Sequence, residues 1–384
     1  MNPTITTFLT AHPSDVLDAG VDFVLDRVCG ELGATGLAVW AALPATNRLC
    51  VRQDAACFDS SPGGLLFAPQ ARHYQASRLK PIVAPDAKGR DPLARIAAAC
   101  DQRSTPLRVC VSATRTGLLA ARHSEMAAKS FLDVASQKSL CPANPDVGAY
   151  LVGLARDLSE SHHLAGVHFA DFTIHWSEAF DPTLETGVEV ADVVRTLLSV
   201  CFCESCRQAA GAAGVEFEPA LALVKAVVEK GLAGSLGSDV CLKSILADGE
   251  PLAKYLNVQA DVLSTLLERI RDACSCDLIL DRPFNPPIAD AVPNVDMSIP
   301  AAVATSVDAL HDAATVACFA ARRNEIRFTA RALATAPASQ VVTTMGDVAR
   351  AGFAAIVLDD YGLLPETTFD AIRQGIRFAR RSAG

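Results

Sequence analysis

Apolar residues recur along this chain in two rhythms. In the first they fall three and four positions apart. Leu17, Val21, Val24, Leu25 and Val28 do so, as do Val147, Leu151, Leu154, Ala155 and Leu158. That spacing lays one apolar stripe along a helix. In the second they form short, almost unbroken runs, such as GLAVWAAL at 36–43, LRVCVS at 107–112 and FAAIVLD at 353–359. A strand covered on both faces reads this way.

In order, the pattern predicts strands at 4–10, 36–43, 107–112, 165–171, 277–281, 295–299, 325–331 and 353–359. Helices are expected between them. Ser14 or Asp15 should cap a helix that runs to about 32. Others are predicted at 92–101, 145–160, 301–322, 344–351 and 366–380, with a helical insertion at about 188–273. Residues 44–91 and 113–140 are long excursions of the kind that form functional loops or lids. Alternating strands and helices define the α/β class. Eight such strands predict a single (β/α)8 TIM barrel with long βα loops, one domain over 1–384. No glycine-rich phosphate fingerprint follows a strand, which counts against a dinucleotide fold.

A fold of this type carries its chemistry at the C-terminal ends of its strands. Asp171 ends the fourth strand and Asp281 the fifth. Two neighbouring carboxyl groups are what glycoside hydrolysis requires, one to protonate the leaving oxygen and one to act as nucleophile or base. The reading gives Asp171 the nucleophile or base role and Asp281 the acid role. His12, His175, Trp176, Glu178, Arg331, Asp359, Asp360 and Tyr361 are the candidate substrate-binding residues around the mouth. Arg331 would meet a substrate carboxylate or sulfate. His168 is three residues from Asp171. Strand alternation therefore places it on the other face, outside the barrel and under a helix.

Cysteines add a second candidate. Cys201, Cys203 and Cys206 have metal-ligand spacing, and Cys274 or Cys276 could complete a set of four, giving an optional structural zinc. No other cofactor is required. The thirteen cysteines are scattered through apolar runs, which suits a reducing cytoplasm better than a disulfide framework. The N-terminus has no basic and apolar leader pattern, and no run is long enough to span a membrane. A net charge of −9 opposes nucleic-acid and anionic-membrane partners. The expected partner is a small carbohydrate, with homo-oligomerisation left open.

The segment LCPANPDVGAYLVGLARDLSESHHLAGVHFADF resembles the glycosyl-hydrolase-like barrels. They carry a similar Asn-Pro, helix and Asp-Gly-Ile-His-Phe-Asp-Asp strand. Asn144, Pro145, Val147, Tyr150, Leu151, Gly166, His168, Phe169 and Asp171 match. The motifs at 140–145, 201–207 and 361–365 extend the resemblance to uncharacterised bacterial barrel proteins over most of the chain. Those relatives have Asp where this chain has Ala165 and Ala170, so Asp171 alone remains of their acidic cluster. The resemblance implies a glycoside hydrolase. Two alternatives stay open. One is a metal-dependent sugar isomerase or lyase using His12, Asp171, Asp281 and His175. The other is a non-catalytic carbohydrate-binding barrel.

Overall fold

A computed structural model describes residues 5–52, 55–181, 183–237, 240–281, 302–307 and 325–383. Its centre is a parallel sheet of eight strands. They are β1 (Thr6–Ala11), β2 (Gly36–Leu43), β3 (Leu107–Ser112), β4 (Gly166–Ala170), β5 (Asp277–Asp281), β6 (Ala302–Val307), β7 (Glu325–Phe328) and β8 (Ala355–Leu358). Hydrogen bonds link them in the order β1-β8-β7-β6-β5-β4-β3-β2, and β1 also pairs with β2. The sheet is therefore curled, with one concave and one convex face.

Strand alternation divides the side chains between these faces. Leu107, Val109 and Val111 of β3, Val167 and Phe169 of β4, and Ile326 and Phe328 of β7 join the large core on the convex side. That core is covered by helices, among them α1 (Pro13–Ala19), α2 (Val21–Leu25), α3 (Pro92–Gln102), α4 (Gly117–Arg122) and α5 (Pro145–Ser161). The intervening residues face inward, and many are polar. Deepest is Arg108, whose Nη1 lies 2.7 Å from Glu325 Oε1 and whose guanidinium stacks 3.8 Å from the Phe8 ring centre. Next come Cys110, His168 and Arg327, and above them the mouth.

Helices α6 (Asp192–Leu198), α7 (Glu204–Ala212), α8 (Phe217–Leu232), α9 (Leu242–Asp248) and α10 (Glu250–Ala273) occupy the expected insertion. On the far side lie α11 (Ala330–Thr335), α12 (Ala338–Arg350) and α13 (Glu366–Ser382).

The excursions are more ordered than their composition suggests. Residues 44–91 contain an antiparallel hairpin, Thr46–Arg52 with Ala55–Ser61. Residues 70–78 of that excursion dock on α5. Buried Asp157 accepts from Gln70 N at 3.0 Å and from the Tyr74 hydroxyl at 3.0 Å. Gly153 lets the chain approach there, because a Cβ would sit 2.4 Å from the His73 carbonyl oxygen. Residues 113–140 hold α4 and a second hairpin, Ala127–Lys129 with Ala135–Leu140.

Three sequence-based expectations change. His12, not Ser14 or Asp15, caps α1, its ring accepting from Ser14 N. Residues 302–307, expected to be helical, form β6; Val303, Thr305 and Val307 are β-branched, which favours a strand. The strand expected at 295–299 lies outside the described residues. Strand β7 stops at Phe328, because the Thr329 side chain caps α11.

Removing one partner of a buried ion pair leaves the other charge stranded, at a cost of about 3–5 kcal/mol. Glu325→Ala should therefore lower stability by roughly that amount, read as a shift in the urea midpoint. Glu366→Ala, whose carboxylate pairs with Arg27 at the exposed surface, should lower it by about 1 kcal/mol or less.

Candidate active site

Asp171 directly follows β4 with φ of +55°, the left-handed region that Asp tolerates better than most residues. This reversal breaks strand alternation, so Asp171 and His168 both belong to the concave side. Ser112 Oγ lies 3.0 Å from Asp171 Oδ2 and 2.9 Å from the Arg115 carbonyl oxygen. Its single proton serves one of them at a time. The Thr114 hydroxyl donates to the Asp171 carbonyl oxygen. Burial raises the Asp171 carboxyl above its ordinary pKa, against the pull of the Arg115 guanidinium and Ser112; the Asp281 charge adds to the rise.

Asp281 moves the other way. Burial would raise its pKa too, but His168 and Arg327 outweigh that and hold it below the usual carboxylate range. His168 Nε2 lies 2.8 Å from Asp281 Oδ1. Asp281 still exposes 39% of its side chain, so the mouth can reach it.

His168 is buried, not outside the sheet, and this corrects the expectation drawn from alternation. Arg327 meets its Nδ1. In the neutral ring Nδ1 would accept from Arg327, since a guanidinium can only donate, and the Nε2 proton faces Asp281 in either state. Burial and Arg327 both disfavour a second proton. Asp281 outweighs them and raises the imidazole pKa to about 9. At neutral pH a ring with that pKa carries both protons, and its charge is what lowers the Asp281 pKa. Arg327 Nε also lies 3.7 Å from Asp359 Oδ2, and Asp359 accepts from the Thr10 hydroxyl. One line of charge thus runs Asp359, Arg327, His168, Asp281 across the concave face.

A second cluster sits at the ends of β1 and β8. Arg48, from the first hairpin, places Nη2 2.6 Å from Asp15 Oδ2 and 3.3 Å from both Asp360 oxygens, with Nη1 3.4 Å from Asp59. Burial lifts the Asp360 carboxyl from 3.8 to about 7, against Arg48 and with help from Asp15 and Asp359. Gly362 is needed in the next turn, since a Cβ would fall 2.1 Å from Asp15 Oδ2. His12 lies nearby, with Nδ1 2.6 Å from Ser14 Oγ.

Other expected site residues are placed elsewhere. Arg331 is exposed in the first turn of α11, because the strand ends early; Arg327 is the inward arginine of that segment. Tyr361 packs on Phe369 of α13 with ring centres 5.9 Å apart. Glu178 accepts from Ser136 Oγ at 2.9 Å and Gln137 N at 2.8 Å, which ties its loop to the second hairpin. His175 is buried and bridges Val200; burial lowers its pKa to about 4 against the Ser199 backbone. Trp176 N donates to Ser199 O at 2.8 Å. A small cleft opens beside Ser112, lined also by Leu43, Leu65, Thr116, Leu119 and Tyr150.

Cys201, Cys203 and Cys206 do come together, all buried. Their fourth neighbour is Cys141, not Cys274 or Cys276. Those two lie 3.5 Å from each other outside the group. Among the described residues, no set of three drawn from His12, Asp171, Asp281 and His175 meets at metal-ligating range.

A curled parallel sheet with helices on its convex face makes this a barrel-like α/β fold. No family model and no curated protein matches the chain. Among solved structures, the PgaB (BpsB) glycoside hydrolase domain from Bordetella bronchiseptica is similar with a TM-score of 0.58 at 12% identity, over 97% of this chain and 99% of that one. Alpha-L-fucosidase isoenzyme 2 from Paenibacillus thiaminolyticus is similar with a TM-score of 0.49 at 11% identity, over 97% of this chain and 49% of that one. This chain thus spans about half the fucosidase. Among the described residues, no helix is long and apolar enough to cross a membrane.

The Asp360 carboxyl holds its proton more tightly folded than unfolded. The folded state then binds more protons between pH 3.8 and about 7, so stability falls as pH rises through that window. Asp360→Asn should flatten this slope in urea titrations run across the same pH range. An unchanged slope would count against the Arg48 cluster as its source.

Proposed function

We propose that this chain is a glycoside hydrolase of the (β/α)8 barrel type, acting on a small carbohydrate through the carboxyl pair Asp171 and Asp281. The observation that carries the reading is the opposed environments of these two groups. Burial favours a protonated Asp171, while His168 and Arg327 favour an ionised Asp281. Groups pushed apart in this way divide acid and base roles between them. Asp171 then protonates the leaving glycosidic oxygen, and Asp281 attacks the anomeric carbon or takes a proton from the attacking water. This division reverses the one suggested by sequence. Arg327 and Asp359 fix His168, and His168 holds Asp281 in place. The similarity in fold to the Bordetella glycoside hydrolase domain supports carbohydrate as the substrate class.

Leaving-group dependence tests the roles directly. With a poor leaving group, Asp171→Asn should lose about 10²–10⁴-fold in rate, the usual contribution of a general acid. With a dinitrophenolate leaving group, which departs without a proton, most of that loss should disappear. Asp281→Asn should stay inactive on both. The opposite pattern would restore the sequence-based roles. A wild type silent across a broad glycoside panel would favour a carbohydrate-binding barrel. For the active enzyme, rate should fall on the alkaline side as Asp171 ionises, and on the acid side as Asp281 takes up a proton.

A further inference from the structure

We propose that Cys141, Cys201, Cys203 and Cys206 form a structural zinc site that braces one wall of the mouth. All four sulfurs are buried and lie within 4.8 Å of one another. Cys141 Sγ is 3.5 Å from Cys206 Sγ and 3.8 Å from Cys201 Sγ. Zinc bound by four thiolates at about 2.3 Å makes a tetrahedron with edges of about 3.8 Å, so these separations fit one ion. They do not fit an iron–sulfur cluster, whose own iron and sulfide atoms lie between its cysteines and hold them farther apart.

The surroundings suit an anionic tetrathiolate. Each thiol that binds gives up its proton, and four thiolates on one divalent ion leave a dianionic centre. Backbone N–H of Lys129 points at Cys201 Sγ, 3.3 Å away, and Gln259 Nε2 lies 3.7 Å from Cys206 Sγ. Cys203 is the N-cap of α7, so the free N–H groups and positive end of that nine-residue helix face the centre. Donors of this kind orient and stabilise ligand sulfurs. Tyr255 OH and Gln259 Nε2 fix the Cys201 carbonyl oxygen at 2.6 and 2.8 Å, and the Phe202 ring stacks on Tyr255 with centres 5.1 Å apart. These rings keep water out.

The location gives the site its effect. Cys141 precedes the N-cap of α5, while Cys201 follows Val200, which bridges His175 in the loop after β4. Phe202 N also bonds to Lys129 O in the second hairpin at 2.8 Å. One ion would therefore join α5, the second hairpin, the helical insertion and the loop that leaves Asp171.

The test begins with the full wild-type chain, purified under reducing conditions without chelator. Elemental analysis should find about one zinc per chain. A mercurial reagent should release that zinc, detected with a metallochromic dye. Exchange with cobalt(II) should give tetrahedral d–d bands and strong sulfur-to-cobalt charge transfer. Cys206→Ser should lower zinc retention at least tenfold, whereas Cys274→Ser and Cys276→Ser should retain it fully. Removal of zinc from wild type should speed amide exchange at 173–176 and 199–206, a readout independent of whether any variant folds. Wild type that contains no metal and takes up none from a zinc buffer would overturn the proposal. A disulfide within the four, or one iron in place of zinc, would overturn it as well.

Discussion

Arg327 is the constraint around which the concave face is arranged. A guanidinium cannot shed its proton at any physiological pH, so a buried one must be answered by acceptors and negative charge. Here the answer comes from Asp359 on the next strand and, past His168, from Asp281. Without Arg327, which lowers the His168 pKa, the imidazolium would be favoured further, and Asp281 would lose one of the two cations that keep it ionised. The protonation states at the mouth are thus set well below it. Arg108 and Glu325 repeat the pattern one layer deeper, closing the floor with a second charge pair.

This polar interior depends on an apolar exterior. The side chains on the convex side of β3, β4 and β7 belong to one continuous core with the helices, and burying them supplies most of the driving force for folding. The excursions add walls without joining that core equally. One docks on α5 through Asp157, and its hairpin reaches back to the strand ends through Arg48. The other meets the insertion through Lys129 and Phe202. The mouth is therefore bounded by segments anchored to helices, which suits a site that must hold two carboxyl groups at fixed spacing.

Much of the fold is legible in the sequence, because unbroken apolar runs and three-four periodicity are strong signals. Seven of the eight expected strands are found close to their predicted ranges; the remaining one, at 295–299, lies outside the described residues, and Ala302–Val307 forms a strand that was expected to be helical. The inward polar residues were not among the sequence-based candidates, although Arg108, Cys110 and Ser112 alternate with Leu107, Val109 and Val111, and Glu325 and Arg327 with Ile326 and Phe328. What sequence could not supply was the reversal at Asp171. A positive φ there puts His168 and Asp171 on the same side, where strict alternation separates them. The fourth cysteine was hidden for a different reason. Cys141 lies sixty positions from Cys201, and only the packing of α5 against the insertion joins them, while Cys274 and Cys276 drew attention as a Cys-x-Cys pair.

The central claim is that Asp171 and Asp281 are driven to opposite protonation by their surroundings. It is tested most directly by carbon-13 NMR titration of the Asp carboxyl groups, assigned through Asp171→Asn and Asp281→Asn. The account predicts that Asp171 titrates above the ordinary carboxylate value and Asp281 below it. Titration of both at the ordinary value, or in the reverse order, would contradict it.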